Sequence, residues 1–212
     1  SDAGLEAVIY AGLASKEANA ATKAALMQKA NEKLAVVKAA KDDTLDWDSE
    51  FAKASSGAAE LQAKADAGPS NDNIVALKKQ VAANKEDTTA LFNLAMAYQE
   101  VSNWDGAALA WQKMNDLLPT WEPAYYSKGY ALQQAGYKEL AAVAFQKYID
   151  VALTKTPAEQ QALQETLFGA YYSVAYLLHT TDKVKANEAL QKALAMKPND
   201  KNSLLLQKEL MK

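Results

Sequence analysis

Two stretches of this chain can be laid one above the other at a fixed offset. TTALFNLAMAYQEVSNWDGAALAWQKMNDLLP, from Thr88, matches EPAYYSKGYALQQAGYKELAAVAFQKYIDVAL, from Glu122, 34 residues further on. The match sets Ala95 on Gly129, Ala107 on Ala141 and Trp111 on Phe145. A third copy lies in LFGAYYSVAYLLHTTDKVKANEALQKALAMKPND, with a one-residue slip in its turn and an insertion before its first helix. A period of this length marks an array of repeats, in which each unit buries its apolar face only by stacking on a neighbour.

The repeating unit reads as a pair of helices. Half of the 212 residues are hydrophobic and alanine is abundant, while only 5 are proline and 8 glycine. No Val/Ile/Thr run alternates with period two, so strands have no sequence support. The pattern predicts an all-α fold with helix pairs at 91–101/104–117, 124–135/138–153 and 158–179/183–196. Helices cross closely only where both present small residues. Ala95, Gly129 and Ala175 on the first helices are expected to face Ala107, Ala141 and Ala186 on the second. Tyr98, Trp111, Leu132, Phe145, Leu178 and Leu190 would then fill the space between units. In TKTPAEQQ, Thr156 is a candidate N-cap, Pro157 a first helical residue and Glu159 the partner of a capping box, so the third copy's first helix is predicted to start early and run long.

An array of this kind needs covered ends. NDNIVALKKQVAAN reads as the second helix of a half-repeat ahead of the first copy. DKNSLLLQKELMK reads as a closing helix, with Leu204, Leu205 and Lys208 ahead of Met211 on an amphipathic pattern. Upstream, DAGPSND marks a break. It separates an N-terminal helical segment (1–66) and a linker (67–72) from three repeats with their caps (73–212). The first segment is predicted to hold a helix from about Gly4 to Ala40, broken near Ser15, with Ala20, Ala24, Met27, Ala30, Leu34 and Val37 in a stripe. A second helix is expected from about Ser49 to Lys64, with Phe51, Ala54, Ala58, Leu61 and Ala65 on one face.

A helix-turn-helix period of 34 residues resembles the tetratricopeptide repeat. The resemblance covers about 73–212 and is strongest in the first copy, through Leu91, Leu94, Ala95, Tyr98, Ala107, Trp111 and Pro119. It departs at Lys128, which replaces an apolar residue, and at Met114 and Tyr148, where the family prefers alanine; these departures predict looser local packing. The resemblance implies a right-handed superhelix whose first helices line a concave, ligand-binding face. The residues facing that groove recur at the second, fifth, ninth, twelfth and thirteenth positions of each repeat. They are Thr89, Phe92, Met96, Gln99 and Glu100; Pro123, Tyr126, Tyr130, Gln133 and Gln134; and Gly169, Tyr172, Tyr176, His179 and Thr180. Tyr125 and Tyr171 fall at a packed fourth position, and Tyr137 in a turn. Repeats of this family that clamp the C-terminal carboxylate of chaperones use a basic residue at the fifth position and asparagine at the ninth. Phe92, Tyr126, Tyr172 and Met96, Tyr130, Tyr176 stand there instead, which argues against that subfamily.

Catalytic chemistry has little to work with. The chain has no cysteine and one histidine, His179, which excludes disulfides, thiolate nucleophiles and Cys-ligated zinc. No G-x-S-x-G elbow, Walker sequence or glycine-rich phosphate loop is present. The acidic run DDTLDWDSE lacks the central glycine of a calcium loop and reads better as the start of a helix. No enzyme activity, cofactor or metal is expected. A net charge of −3 gives no electrostatic reason for a nucleic-acid partner. All 23 basic residues are lysine, so arginine forks are missing. No apolar run is long enough to span a membrane.

What remains is binding. One turn separates Tyr126 from Tyr130 and Tyr172 from Tyr176, so each pair forms a ladder on one helix face. Tyrosine offers large contact area at low entropic cost and a hydroxyl for orientation. The ladders are either an open ligand groove or a surface filled by residues 1–66. Two functions follow: a non-enzymatic scaffold holding a peptide or helix of a protein partner, or a homo-oligomer in which residues 1–66 occupy the groove or a dimer interface. The absence of cysteine, and a start that would suit a cleaved leader, point toward a bacterial periplasmic or envelope location.

Overall fold

The computed structural model describes residues 3, 6, 7, 10, 11, 14, 20–40 and 58–211. Among these residues eleven helices and no strands occur. By contact the chain divides into two compact units, Ser1–Lys64 and Ala65–Lys212.

In the first unit, α1 spans Ala20–Ala39. The Lys33 ammonium lies 2.5 Å from the Glu6 carboxylate, and that of Lys29 sits 5.7 Å from the Tyr10 ring centroid. Higher numbers on one side meet lower numbers on the other, so Glu6 and Tyr10 follow α1 in the antiparallel sense. Ala7, Ala11 and Ala14 are buried on the one, and Ala30 and Val37 on the other. Of the predicted stripe, Met27 and Leu34 are half-buried and Ala24 is exposed. The acidic run, Phe51, Ala54 and the predicted helix start at Ser49 lie outside the described residues. What is described of that second helix is α2 (Ala58–Ala67).

The second unit continues through α3 (Asp72–Ala83), α4 (Thr88–Glu100), α5 (Trp104–Leu117), α6 (Glu122–Gln134), α7 (Lys138–Leu153), α8 (Pro157–Ala162), α9 (Gln164–Leu178), α10 (Lys183–Met196) and α11 (Lys201–Leu210). From α3 to α7 each helix packs on the next, α7 packs on α9, α9 on α10 and α10 on α11, while the short α8 sits on α9. The side chains of Asn71, Asp87, Asn103, Asp182 and Asp200 accept a hydrogen bond from a backbone N–H in the first turn of α3, α4, α5, α10 and α11, supplying an orphan donor with a partner. The three helix pairs are therefore α4/α5, α6/α7 and α9/α10.

Packing follows the size pattern of the repeats. Ala95, Ala107, Ala141, Ala175 and Ala186 are fully buried. A methyl group placed on Gly129 would meet the Phe145 ring at 3.0 Å, and one on Gly106 would meet the Tyr98 ring at 2.7 Å. Of the large residues predicted to fill the space between repeats, Tyr98, Trp111, Leu132, Phe145 and Leu190 are buried, while Leu178 is half-exposed.

The turns inside the first two pairs share one conformation. Ser102 (φ 58°) and Gly136 (φ 89°) both occupy the left-handed region, one repeat apart. In each turn the following N–H bonds back to the helix, from Asn103 to the Tyr98 carbonyl at 2.8 Å and from Tyr137 to the Leu132 carbonyl at 2.9 Å. This is the Schellman arrangement, in which glycine is the unstrained residue. Serine pays about 1–2 kcal/mol to sit there, partly recovered because glycine orders a freer unfolded chain. Ser102→Gly is therefore expected to raise stability by about 0.5–1 kcal/mol, read from urea unfolding.

Three expectations need correction. The third pair's first helix is two helices: α8 ends at Ala162 and α9 begins at Gln164. The Thr156–Glu159 capping box forms as predicted, but Gln160 Nε2 donates to the carbonyls of Leu153 and Lys155 at 3.0 and 2.7 Å. That ties α8 to the end of α7. Met114 and Tyr148 are not loosely packed; both are almost completely buried. The extra reach of Tyr148 brings its hydroxyl 2.5 Å from Thr166 Oγ1, across to α9. In α11 the inward residues are Ser203 and Leu206, whereas Leu205 and, just past the helix end, Met211 are 59% and 76% exposed. Ser203 turns inward because its N–H and hydroxyl both donate to Asp200, each at 2.8 Å.

Candidate functional site

The first helix of each pair, α4, α6 and α9, carries the residues assigned to a groove. At the ninth repeat position stand Met96, Tyr130 and Tyr176, which are 40%, 44% and 47% exposed. One residue earlier, Ala95, Gly129 and Ala175 are buried against the partner helix. The same turn of the same helix thus hides a small residue and presents a large apolar one, three times over. Gln99, Gln133 and His179 at the twelfth position are half-buried, and Glu100, Gln134 and Thr180 at the thirteenth are exposed.

The fifth position is less uniform. Phe92 is 39% exposed and stands edge-on to Trp111, with ring centroids 5.5 Å apart. Trp121, at the entry to α6, closes this cluster at 6.4 Å from Phe92 and 6.5 Å from Trp111. Tyr126 is wedged between Phe145 and Tyr148, each 5.2 Å away. A methyl on Gly169 would sit 3.1 Å from its hydroxyl oxygen. Burial raises the ionisation range of Tyr126. This ring is part of the joint between the second and third pairs more than of an open face.

On α9 the rings stack. Tyr172 lies 6.1 Å from Tyr176 at an interplanar angle of 17°, and Tyr176 lies 5.6 Å from the His179 ring at 22°. His179 Nδ1 is 2.6 Å from the Tyr176 carbonyl. A carbonyl only accepts, so Nδ1 carries the hydrogen in this contact. Tyr130 instead meets the edge of Trp104 at 5.7 Å. Trp104 and Trp121 were not among the residues singled out from the sequence; each lies at the start of a helix, outside the recurring groove positions. Tyr125 and Tyr171 are half-buried, and the Tyr125 hydroxyl donates to the Pro119 carbonyl at 3.3 Å. Tyr137 donates from its hydroxyl to Asp105 at 3.0 Å, tying α7 to α5.

Lys128 is the one lysine on these three helices. Its ammonium donates to Gln112 Oε1 on α5. Burial pulls its pKa down to about 8, with Asp116 working the other way. Below pH 8 the fold therefore carries the cost of a desolvated charge. That cost is relieved as pH rises toward the ordinary lysine value of 10.5, where the folded state releases its proton before the unfolded state does. Lys128→Met is expected to raise stability at pH 7 by about 1 kcal/mol, after allowing for partial exposure of the side chain. It should also flatten the rise in stability between about pH 8 and 10. Urea unfolding at several pH values checks both.

A cleft lies elsewhere in the same unit. Its volume is about 740 Å³, and it opens between α7, α9 and α10, with Val143, Ile149, Leu153, Val174, Leu178 and Ala189 among its walls. Among the described residues no three His, Asp or Glu side chains gather as a metal site would require, and no helix is long and apolar enough to cross a membrane.

A chain of helix pairs, each packed on the last, is the architecture of a helical repeat array. No family model matches the sequence, and no curated protein matches it either. Among solved structures, the chain is similar to the C-terminal part of a TPR repeat-containing protein from Cytophaga hutchinsonii. The TM-score is 0.52 at 22% identity, over 87% of this chain and 68% of that one. It is also similar to the crystal structure of MamA, with a TM-score of 0.48 at 22% identity over 65% of this chain and 84% of that one. At this identity the first likeness is one of fold, and the fold is all-α and tetratricopeptide-like.

Proposed function

We propose that this chain is a non-enzymatic interaction scaffold that holds a peptide or helix of a partner protein across the aromatic face of α4, α6 and α9. The observation that carries the reading is the ninth position, where Met96, Tyr130 and Tyr176 are each left 40–47% exposed beside a buried small residue. Exposed apolar area that recurs in register is costly to keep in water unless something covers it. The half-buried glutamines one turn further on, Gln99 and Gln133, supply amides suited to a bound backbone.

The test is a double substitution, Tyr130→Ala with Tyr176→Ala. Both residues are nearly half exposed, so each loss is expected to cost about 1 kcal/mol and leave the thermal melt nearly in place. Peptides selected on the immobilised wild-type chain from a displayed library of random sequences should lose binding to the double variant. Equal binding to both proteins rejects the reading. A mass in solution that doubles at high concentration, and returns to monomer in the double variant, would make a second copy of the chain the occupant.

A further inference from the structure

The helices that carry the exposed rings are nearly without positive charge. In a chain of 23 lysines, α4 and α9 have none, and the single lysine of α6, Lys128, is held by Gln112. The second helices of the pairs hold theirs in numbers: Lys113 on α5, Lys138 and Lys147 on α7, Lys183, Lys185 and Lys192 on α10. None of α4, α6 and α9 has a basic residue in its last turn, where a cation would meet the negative end of the helix dipole.

Negative charge is retained on the same side. Glu100 is exposed at the end of α4. Asp200, the cap of α11, and Glu209 within it stand near enough to Tyr172 to add, behind burial and Tyr176, to the upward shift of its pKa. Among the described residues no ion pair engages Glu100 or Glu209, whereas Glu122 and Glu165 are paired with Lys155 and Lys197 at 2.9 and 2.6 Å. Lys197 also shows how this surface treats a cation. Its ammonium lies 4.4 Å from the centroid of the Phe168 ring while it pairs with Glu165.

We infer that the partner segment seated on this face is basic, with lysine or arginine side chains laid over Tyr130 and the Tyr172–Tyr176 stack and their charges met by Glu100, Asp200 and Glu209. The inference rests on the aromatic face being the binding face. Flat, partly solvated tyrosine faces attract ammonium and guanidinium groups. The three helices themselves present no unengaged lysine to repel or outcompete them. An acidic segment would find no cation on the three helices except one already engaged, so charge complementarity selects one sign of partner.

The experiment selects random displayed dodecapeptides on the full chain, then sorts them by dependence on Tyr130 and Tyr176. Ring-dependent peptides enriched several-fold in lysine and arginine, with binding that weakens as salt rises, support the inference. Ring-dependent peptides that are neutral or acidic overturn it and leave the scaffold reading standing. A selection that yields no ring-dependent peptide removes both. For one synthetic basic peptide from the selection, Glu100→Gln with Glu209→Gln is expected to weaken binding about three- to ten-fold with no change in melting temperature. Undiminished binding to that variant also overturns the charge assignment.

Discussion

Replacing Asn103 by alanine is expected to lower the stability of the repeat unit by about 2–4 kcal/mol, a large effect for one small polar side chain. Asn103 is 2% exposed, and its amide works in two directions. Its Oδ1 accepts from the Gly106 N–H at 2.9 Å, capping α5. Its Nδ2 donates to the carbonyls of Ala65 and Pro69, at 2.9 and 3.0 Å. Loss of a cap costs about 0.5–2 kcal/mol, and leaving buried acceptors unmet about 1–3 more. Asn103→Asp separates the two roles. Aspartate caps as well as asparagine, but it would aim a carboxylate at two carbonyls, so it is expected to be no better than alanine. Urea unfolding of both variants decides; an aspartate variant as stable as wild type would show that only the cap matters. The same contacts bear on where the repeat unit can be cut. A chain starting at Ser70 discards both carbonyls and is expected to melt lower than one starting at Ala58, which keeps them. We propose that the longer piece folds cooperatively by itself; aggregation or a non-cooperative melt would reject that. Gly68 belongs to this joint, since a methyl there would come 2.7 Å from Asn103 Nδ2.

The helix pairs were legible because their determinants are local or strictly periodic. Caps such as Asp182 and Asp200 act within three residues, and the small residues at the crossings repeat with the unit. The misses share a different character. Nothing near Leu163 announces a helix break, because the restraint is Gln160 reaching back to the end of α7. Three consecutive leucines in α11 carry no phase, and the hydroxyl of Ser203 decides which of them turns inward. The role of Asn103 as a link to Ala65 and Pro69 also depends on contacts more than thirty residues apart. At the candidate site, repeat positions identified the exposed ninth residues, since exposure there follows from helix geometry. They did not separate Tyr126 from Tyr172, which share a repeat position, because the surroundings of each come from other helices. Tyr126 is enclosed by the bulk of Tyr148 and by the missing side chain of Gly169, and neither is visible from its own helix.

That difference makes Tyr126 the sharpest discriminator between joint and binding face. Tyr126→Ala is expected to cost about 2–4 kcal/mol, toward the lower part of the range for removing a large aromatic ring because this one keeps some solvent contact. It loses two edge-on ring contacts, each with centroids 5.2 Å apart, and opens a void between the second and third pairs. For a unit of this size, 1 kcal/mol moves the melting temperature by roughly 2–4 °C, so the variant should melt on the order of 5–15 °C below wild type. Tyr176→Ala, whose ring is 47% exposed, should shift the melt by a few degrees at most. Tyr126→Phe keeps the rings and gives up only the hydroxyl beside Gly169, so it should stay near wild type. If instead Tyr176→Ala destabilises as much as Tyr126→Ala, the stack on α9 is structural and the ninth position loses its claim to a partner. If Tyr126→Ala melts with wild type, the joint does not depend on this ring, and Tyr126 returns to the binding face with Tyr130.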